Sequence, residues 1–197
     1  EEEAIKVFRD KCVEEEAELF EIGRDIRFDL VSLSIDHQEF SIRGNLGRFN
    51  NLRIKFLGPH QLINATLSIS LVSGIFIRNR ENLKTSVLKK GLQNTSWPAR
   101  FEIVSQTPLI ILDGAHNVAS ARVLVETLKQ NFLEKKIILV LGISRDKDIK
   151  GITQELFPIA QKVILTCADN SRAVRPRDIL CAGKAFLKDK NAALTRS

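Results

Sequence analysis

The sequence is poor in the features that mark several large classes of protein. Its three cysteines, Cys12, Cys167 and Cys181, are odd in number, far apart in the chain and without a Cys-x-x-Cys pair. Neither a disulfide framework nor a structural zinc site is therefore indicated. A reducing compartment, the cytoplasm, fits this use of cysteine best.

Aromatic side chains and dense basic tracts are also scarce. The chain has no tyrosine and one tryptophan. Its formal net charge of +6 is unevenly distributed, because residues 1–25 carry ten acidic and four basic side chains, which leaves about +12 on the remainder. A basic body without aromatic platforms or a nucleic-acid-binding motif disfavours nucleic acid and suits an anionic small substrate.

Long hydrophobic runs are absent as well. Uninterrupted apolar stretches cover only a handful of residues, whereas a membrane-spanning helix needs roughly 18 or more. The acidic start Glu1-Glu-Glu3 has none of the character of a signal peptide. With 197 residues, 44% of them hydrophobic and 27% charged, we expect an ordinary globular chain of one domain or two small ones, without membrane association.

The first half of the chain predicts a mixture of helices and antiparallel strands. The apolar spacing and turn residues predict the following elements: an amphipathic helix over 4–22 with a solvated acidic face, a hairpin of strands 30–35 and 40–43, a half-buried strand over 52–56, and helices over 61–77 and 81–92. His37 falls in the hairpin loop, where we expect it to face solvent. The mixed apolar faces of the helix over 61–77 imply burial against a sheet.

The second half alternates strands and helices. We predict strands over 109–112, 137–141 and 163–166, and helices over 118–133, 149–157 and 176–188. The uninterrupted apolar run Leu109–Leu112 is typical of a strand buried on both faces. Alternation of this kind builds a parallel sheet with right-handed crossovers.

A polar cluster, Asp113-Gly-Ala-His-Asn117, directly follows the first of these strands. The carboxyl end of a parallel strand, next to a helix N-terminus, is where open α/β sheets bind ligands. Gly114 permits a sharp turn and Asn117 can cap the helix. A plainer interpretation is that Asp113 and Asn117 are only turn and cap residues and that His116 is a hydrogen-bonded loop histidine.

Two further polar loops follow the other two strands, at the same edge of the predicted sheet. They are Gly142-Ile-Ser-Arg-Asp-Lys-Asp148 and Cys167-Ala-Asp-Asn-Ser-Arg-Ala173. For Lys147 taken alone, a solvated loop lysine is the ordinary interpretation.

Gln61 and Asn64 stand three residues apart at the start of the helix over 61–77. Their carboxamides would share one helix face and could present donors and acceptors together, as the edge of an adenine requires. Alternatively, both only cap the helix and pack.

These motifs together resemble one known family. Trp97-Pro-Ala-Arg-Phe-Glu102 followed by Asp-Gly-Ala-His-Asn is similar to the start of the carboxy-terminal domain of folylpolyglutamate synthases and dihydrofolate synthases, within the Mur ligase superfamily. The family also has Gly-x-His-Gln-x-x-Asn-Ala, Gly-x-x-x-Asp-Lys-Asp and Arg-Ala segments, which match Gly58–Ala65, Gly142–Asp148 and Arg172-Ala173. The order of the motifs is more specific than any one of them.

The resemblance implies a fold and a domain plan. Residues 96–197 would form the Mur ligase carboxy-terminal domain, a Rossmann-like α/β fold with a mostly parallel sheet, truncated at its end. Residues 1–95 would be the end of an α/β P-loop-type central ATPase domain. No Gly-x-x-x-x-Gly-Lys-[Ser/Thr] loop occurs in the chain, since Gly183-Lys184 lies in a predicted helix and is followed by Ala185. We therefore expect the back half of a larger ligase, inactive by itself.

The resemblance also implies an activity and its site. Such a ligase uses ATP and Mg²⁺, the latter bound mainly by residues upstream of this segment, to add glutamate to a folate or dihydropteroate carboxylate through an acyl phosphate. Carried over by motif, the nucleotide contacts are Gln61, Asn64, Arg100, Asp113 and His116. Lys147 and Arg172 would bind glutamate, and His116 and Lys147 are the catalytic candidates.

Two other functions fit the same residues. One is a Mur-type ligase that joins a different amino acid to a different carboxylate, and the other is a non-catalytic nucleotide-binding module of the same fold. The implied partners are small molecules only, for a monomer that contacts neither nucleic acid nor membrane.

Overall fold

The structure is a computed structural model that describes residues 2–132, 134–187 and 191–195, without the side chain of Asn191. It contains two compact units. Unit 1 consists of residues 1–55 and 60–95, and unit 2 consists of residues 56–59 and 96–197.

Unit 1 is built on a three-stranded antiparallel sheet. Its elements are α1 (Glu2–Glu14), β1 (Ile26–Leu33), β2 (Gln38–Gly44), β3 (Gly47–Ile54), α2 (Pro59–Arg78) and α3 (Thr85–Asn94), with the strands in the order β1-β2-β3. β3 agrees in part with the strand predicted over 52–56: Leu52 and Ile54 are buried and Arg53 is exposed as predicted, but the strand runs from Gly47 to Ile54, so Phe56 lies beyond its end. Small and apolar side chains on α2, among them Ile69 and Ser73, border a recess lined by sheet residues.

Three predictions for unit 1 need correction. The helix predicted over 4–22 ends at Glu14, and no residue of α1 is buried. The helix predicted from residue 81 begins at Thr85. His37 is not solvent-facing: its side chain is only 19% exposed and its Nδ1 lies 2.7 Å from an Asp36 carboxylate oxygen. The ring is therefore partly buried and hydrogen-bonded within the hairpin loop.

The long helix α2 is less buried than its composition predicts. Its buried residues, which share one face, are Leu62, Ala65, Thr66, Ile69, Ser70 and Ser73. Leu67, Leu71 and Ile75 on its other side are exposed. Serine and threonine occupy half of the buried face, and Thr66 and Ser70 satisfy their hydroxyls by bonding to carbonyls one turn back.

By length and composition alone, α2 could also cross a membrane, and it is the one such helix in the described part of the chain. The prediction that no stretch is long enough to span a membrane is therefore wrong by these criteria, because apolar residues interrupted by serine and threonine also meet them. Core helices of globular proteins meet the same criteria, and α2 has a buried face of that kind.

Unit 2 contains a parallel sheet covered by helices. Its elements are β4 (Glu102–Gln106), β5 (Leu109–Leu112), α4 (Val118–Phe132), β6 (Ile137–Leu141), α5 (Ile149–Leu156), β7 (Ala160–Leu165), α6 (Pro176–Gly183) and β8 (Asn191–Leu194), with 3-10 turns over 157–159 and 184–186. β6, β7 and β8 pair in parallel in that order. The α/β fold and the positions of β6, α4 and α5 are thus confirmed.

The main core of unit 2 lies between this sheet and its helices. Its fully buried members include Phe157, Val163 and Leu165, together with Ile152 and Leu156 of α5. Gly183 is required by packing there, because a Cβ would clash with the Phe157 ring and with Thr153. The amphipathic faces read from the sequence therefore meet on the sheet as expected.

The first strand of the predicted parallel sheet is placed differently. β5 pairs antiparallel with β4, and the two form a separate two-stranded sheet. Leu109, Ile110 and Leu112 are exposed rather than buried on both faces. Only Ile111 packs against a small cluster of Leu57, Phe101 and Phe132. An apolar run of four residues cannot distinguish these pairings, which depend on distant partners.

Two elements near the end of the chain also differ from the sequence-based prediction. β8, an unpredicted strand, continues the parallel sheet by pairing Ala192 with Val163; its alanines gave little strand signal. The helix predicted over 176–188 ends at Gly183. The predicted helical positions Leu133 and Lys188 lie outside the described residues.

Candidate functional site

The turn after β5 is organised by Asp113 and Asn117. One Asp113 carboxylate oxygen accepts from the Phe101 amide and the other from the Ala115 amide, each at 2.8 Å. Asn117 Oδ1 accepts from the Ser120 amide at 2.8 Å, which confirms the predicted cap of α4. Ser120 Oγ in turn accepts from the amides of His116 and Asn117. Backbone donors at this helix start are therefore largely satisfied from within the turn.

The ring of His116 is held by its own turn. Its Nδ1 lies 2.9 Å from the carbonyl oxygen of Gly114. A carbonyl oxygen only accepts, so Nδ1 carries the proton and the neutral ring has its free lone pair on Nε2. His116 is exposed, which leaves Nε2 accessible to a ligand. A structural hydrogen bond and a ligand contact are therefore compatible in His116, because the first uses Nδ1 and the second would use Nε2.

Two hydrogen bonds donated by backbone amides attach the loop that precedes β4 to this turn. The Gly114 amide donates to the Ala99 carbonyl at 2.8 Å, and the Phe101 amide donates to Asp113. A Cβ on Gly114 would lie 3.3 Å from the Ala99 oxygen, so this close approach accounts for the glycine. The Trp-Pro-Ala-Arg-Phe-Glu and Asp-Gly-Ala-His-Asn motifs therefore form one structural entity.

Arg100 lies in that loop beside Trp97. Its guanidinium carbon is 5.4 Å from the centre of the Trp97 ring, a cation–π distance. Trp97 itself is 63% exposed. An arginine stacked on an exposed ring keeps its donor fork available at the surface, which suits contact with phosphate.

The loops after β6 and β7 are joined by backbone hydrogen bonds. The Arg145 amide donates to the Arg172 carbonyl at 2.8 Å, and the Val174 amide donates to the Ile143 carbonyl at 2.9 Å. Ser144 and Ala173 form an antiparallel bridge between these bonds. The structure therefore brings the loops of Lys147 and Arg172 together, as their common sheet edge predicts.

Lys147 forms an ion pair with one of its two acidic neighbours. Its Nζ lies 2.6 Å from Asp146 Oδ2, and this hydrogen bond holds the pKa of Asp146 below its ordinary value. Asp148, the acidic neighbour on the other side, does not join the pair. It caps α5 instead, accepting from the Gly151 amide at 2.8 Å.

Arg172 is held through its backbone. Its amide donates to Asn170 Oδ1 at 3.0 Å, and its side chain is exposed. The positive charge of Arg172 also contributes to the lowered pKa of Asp146. Lys147 and Arg172 thus act electrostatically on the same carboxylate.

The two parts of the site approach each other where α4 packs on α5. Gly151 in the first turn of α5 has no room for a Cβ, which would meet Val118 of α4 as well as Asp148. Val118 directly follows Asn117. The Asp113–Asn117 turn and the Gly142–Asp148 loop are therefore near neighbours, although β5 and β6 are not paired.

Gln61 and Asn64 belong to unit 1. They lie in the first turns of α2, and the Asn64 amide nitrogen is 3.3 Å from Gln61 Oε1. Both side chains share one face, as their spacing predicts. Their mutual hydrogen bond leaves the Gln61 amino group and the Asn64 oxygen for other partners.

Two contributors were not singled out from the sequence. Glu102 accepts from the Ala99 amide at 2.8 Å, and Ser120 bonds back to the 116–117 backbone. Ser120, at the third position of α4, carried a usable signal, the spacing of a capping box. For Glu102 the signal was only its presence in the motif.

The described residues do not form a metal centre. In this part of the chain no group of three His, Cys, Asp or Glu side chains is arranged to hold an ion. Asp113 and Asp148 use their oxygens on backbone amides.

Comparison with known proteins gives the class of this domain. Residues 99–196 match the family described as Mur ligase, glutamate ligase domain. This is a class whose members share an α/β fold, as unit 2 does.

Individual relatives give the branch. The chain is 31% identical over 147 residues to dihydrofolate synthase/folylpolyglutamate synthase of Bacillus subtilis, covering 75% of this chain and 34% of the relative. A crystal structure of folylpolyglutamate synthase (FPGS) from Thermotoga maritima matches all of this chain and 45% of its own, with a TM-score of 0.84 and 29% identity. An FPGS–AMPPCP–folate complex matches with a TM-score of 0.75 and 25% identity, over 98% of this chain and 47% of its own.

The chain belongs to the folylpolyglutamate and dihydrofolate synthase family of Mur ligases. It spans about a third of the length of the curated relatives it matches, 34% of the Bacillus subtilis protein and 33% of one from Mycobacterium tuberculosis.

Proposed function

We propose that this chain is part of an ATP-dependent ligase that adds glutamate to the carboxylate of a folate or of dihydropteroate. The single observation that carries the proposal is the arrangement in unit 2. A nucleotide-type loop and turn, with Arg100 and Asp113, lies next to two joined loops that present Lys147 and Arg172. Cations at two neighbouring places suit a reaction that joins two anions at the expense of a triphosphate.

The chemistry divides between the two places. ATP converts the folate carboxylate into an acyl phosphate, and the amine of glutamate then attacks the acyl carbon and expels phosphate. Arg100 can neutralise charge on the phosphates with its fork of donors. Lys147 and Arg172 bind the carboxylates of glutamate through their positive charges. The amine of glutamate must be neutral in order to attack. The Mg²⁺ that such a ligase uses would neutralise further phosphate charge.

Gln61 and Asn64 are the proposed adenine contacts. Their paired carboxamides retain a donor and an acceptor, which is what an adenine edge requires. In this proposal residues 1–95 are the end of the ATP-binding domain and residues 96–197 are the glutamate ligase domain. AMPPCP and folate in the matched FPGS complex support a nucleotide and a folate as ligands here. We place the reaction in the cytoplasm and expect a monomer.

The direct test uses the full-length protein that contains this chain. Phosphate release should require ATP, glutamate and a pteroyl acceptor together, and the product should be longer by one glutamate when analysed by mass spectrometry. A panel of other amino acids and carboxylates separates this activity from that of another Mur-type ligase. ATP binding without any acceptor-dependent turnover would support a non-catalytic module and contradict the proposal.

Arg100 and Asp113 should differ in their kinetic effects. Asp113→Ala should raise the Michaelis constant for ATP, because it removes the acceptor that holds the loop at Phe101 and a proposed acceptor for ribose hydroxyls. Arg100→Ala should mainly lower turnover, because phosphate charge grows during transfer. Gln106→Ala, on the exposed side of β4, is a suitable control. Wild-type constants in both variants would remove these residues from the nucleotide site.

A further inference from the structure

The loop that directly precedes β4 has an unusual backbone. Ala99 and Phe101 both adopt positive φ angles, 56° and 50°, on either side of Arg100. Residues with a Cβ rarely occupy this left-handed region, and a bulky residue such as phenylalanine is a genuine outlier there. Such conformations persist only where the surroundings determine them more strongly than local preference does.

Two carboxylates supply that restraint. Glu102 Oε2 accepts from the Ala99 amide and Asp113 Oδ2 accepts from the Phe101 amide, both at 2.8 Å. Each strained residue therefore has its N–H bound by an acid. A charged acceptor makes a stronger bond to a backbone N–H than a neutral one does.

Packing fixes the same segment from the other side. The Phe101 ring is buried and stacks on Phe132 of α4, with ring centres 6.1 Å apart. The Ala99 carbonyl accepts from Gly114. Both neighbours of Arg100 are thus immobilised by side chain and backbone, while the Arg100 guanidinium lies over the exposed ring of Trp97.

We propose that Glu102 is a positioning residue, which together with Asp113 clamps the left-handed Ala99 and Phe101 and thereby sets the direction of the Arg100 guanidinium. The contact of Glu102 is with a backbone amide, so its effect on any ligand passes through Arg100. The clamped geometry of the loop does not depend on the proposed function, whereas the effect of Glu102 on the reaction with ATP rests on the proposed function of Arg100. Separate experiments test the geometry and the effect.

The geometry is tested by ¹⁹F NMR of the full-length protein labelled with 5-fluorotryptophan. The Trp97 resonance is assigned by its loss in Trp97→Phe. Glu102→Ala should shift or broaden this resonance, as Arg100→Ala should, because the guanidinium leaves the ring. Glu102→Gln should keep it close to wild type, since the Gln oxygen can accept the same hydrogen bond. The matched control is Glu126→Ala, which removes an exposed carboxylate from α4.

An unchanged Trp97 resonance in Glu102→Ala would overturn the clamp. So would a resonance that moves equally in Glu102→Gln, because the effect would then not depend on an acceptor for the Ala99 amide.

The strain itself provides a second test. Glycine adopts a positive φ without steric cost, so Ala99→Gly needs the clamp less. In the Ala99 background, Glu102→Ala should lower turnover about tenfold, the same kind of effect as Arg100→Ala, equivalent to ~1.4 kcal/mol. In the Ala99→Gly background the decrease should be clearly smaller. The Michaelis constant for glutamate should stay near wild type in all variants.

Equal decreases of turnover in both backgrounds would show that Glu102 acts by another route, such as direct ligand contact, and would overturn the proposal. A shifted Trp97 resonance with unchanged turnover would overturn the link from the clamp to the nucleotide. If the wild-type protein catalyses no ATP-dependent ligation, the proposed function fails, and the ¹⁹F result still decides the geometry.

Discussion

Acidic and basic side chains of unit 2 have different tasks at the level of single residues. Asp113, Glu102 and Asp148 all direct carboxylate oxygens to backbone amides, at 2.8 Å in each case. Arg172 is exposed, and Arg100 lies over the exposed Trp97 ring. These three acids therefore shape the loops, and the two arginines remain for anionic ligands. Asp146 differs, since it pairs with Lys147, as Asp178 pairs with Arg175 elsewhere in unit 2.

Lys147 should affect glutamate and not ATP. Lys147→Ala in the full-length protein should raise the Michaelis constant for glutamate about ten- to a hundredfold, the equivalent of one lost charge-assisted contact of about 1.5–3 kcal/mol. Lys150→Ala, which removes an exposed lysine from the next helix, is the control. A variant that weakens ATP and leaves glutamate untouched would assign Lys147 to the nucleotide.

The ion pair of Asp146 predicts a pH effect with a defined sign. The hydrogen bond from Lys147 lowers the pKa of Asp146 below 3.8, its ordinary value. A lowered pKa in the folded state gives stability that is present above the unfolded-state value and is lost as the pH falls through the folded value. In Lys147→Ala, carboxyl ¹³C NMR should show the pKa of Asp146 rising toward 3.8.

Asp178 provides an internal reference in the same spectra. Its pKa is lowered by a hydrogen bond from Arg175, independently of Lys147. It should therefore not move in Lys147→Ala. A joint movement of Asp146 and Asp178 would indicate a general change of the fold, and no movement of either would contradict the ion pair.

At the level of elements, the sequence was informative wherever the signal was local. β6 was predicted at its observed bounds, and Asn117 was recognised as the cap of α4 from its position alone. β5 was located correctly, but its partner and burial were wrong, because pairing with β4 depends on residues outside the run. The strained backbone at Ala99 and Phe101 left no sequence signal, since neither residue type favours positive φ.

The contact between α4 and α5 depends on a glycine. Gly151→Ala should lower stability by about 1–3 kcal/mol, because the new methyl group would strike Asp148 and Val118 and disturb the cap of α5. Urea denaturation followed by circular dichroism measures the effect as a lower midpoint. Gly91→Ala is the contrasting variant: its site in α3 has open space, and alanine there should stabilise by about 0.5–1 kcal/mol. A wild-type midpoint for Gly151→Ala would mean that α4 and α5 accommodate the additional methyl group without loss of stability.

At the level of the whole molecule, the two compact units do not follow a single cut in the sequence. The predicted boundary lay near residue 95, whereas the segment Phe56–Pro59 groups with unit 2. Its Leu57 is buried in a cluster with Phe101 and Phe132. A short segment contributed from earlier in the chain carries no composition signal that would assign it to unit 2.

Leu57 should therefore stabilise unit 2, even though α2 and α3 of unit 1 both follow it in the sequence. Leu57→Ala should cost about 2–5 kcal/mol, the range for a leucine removed from a packed core. Hydrogen exchange of the α4 amides reports on unit 2 specifically, and a loss of 2 kcal/mol would speed exchange through global opening about thirtyfold. Leu67→Ala, at a position 47% exposed on α2, should leave these amides unchanged. If instead Leu57→Ala accelerates exchange only in unit 1, the segment stabilises unit 1, and a chain that begins at Ser96 should then retain the full stability of unit 2.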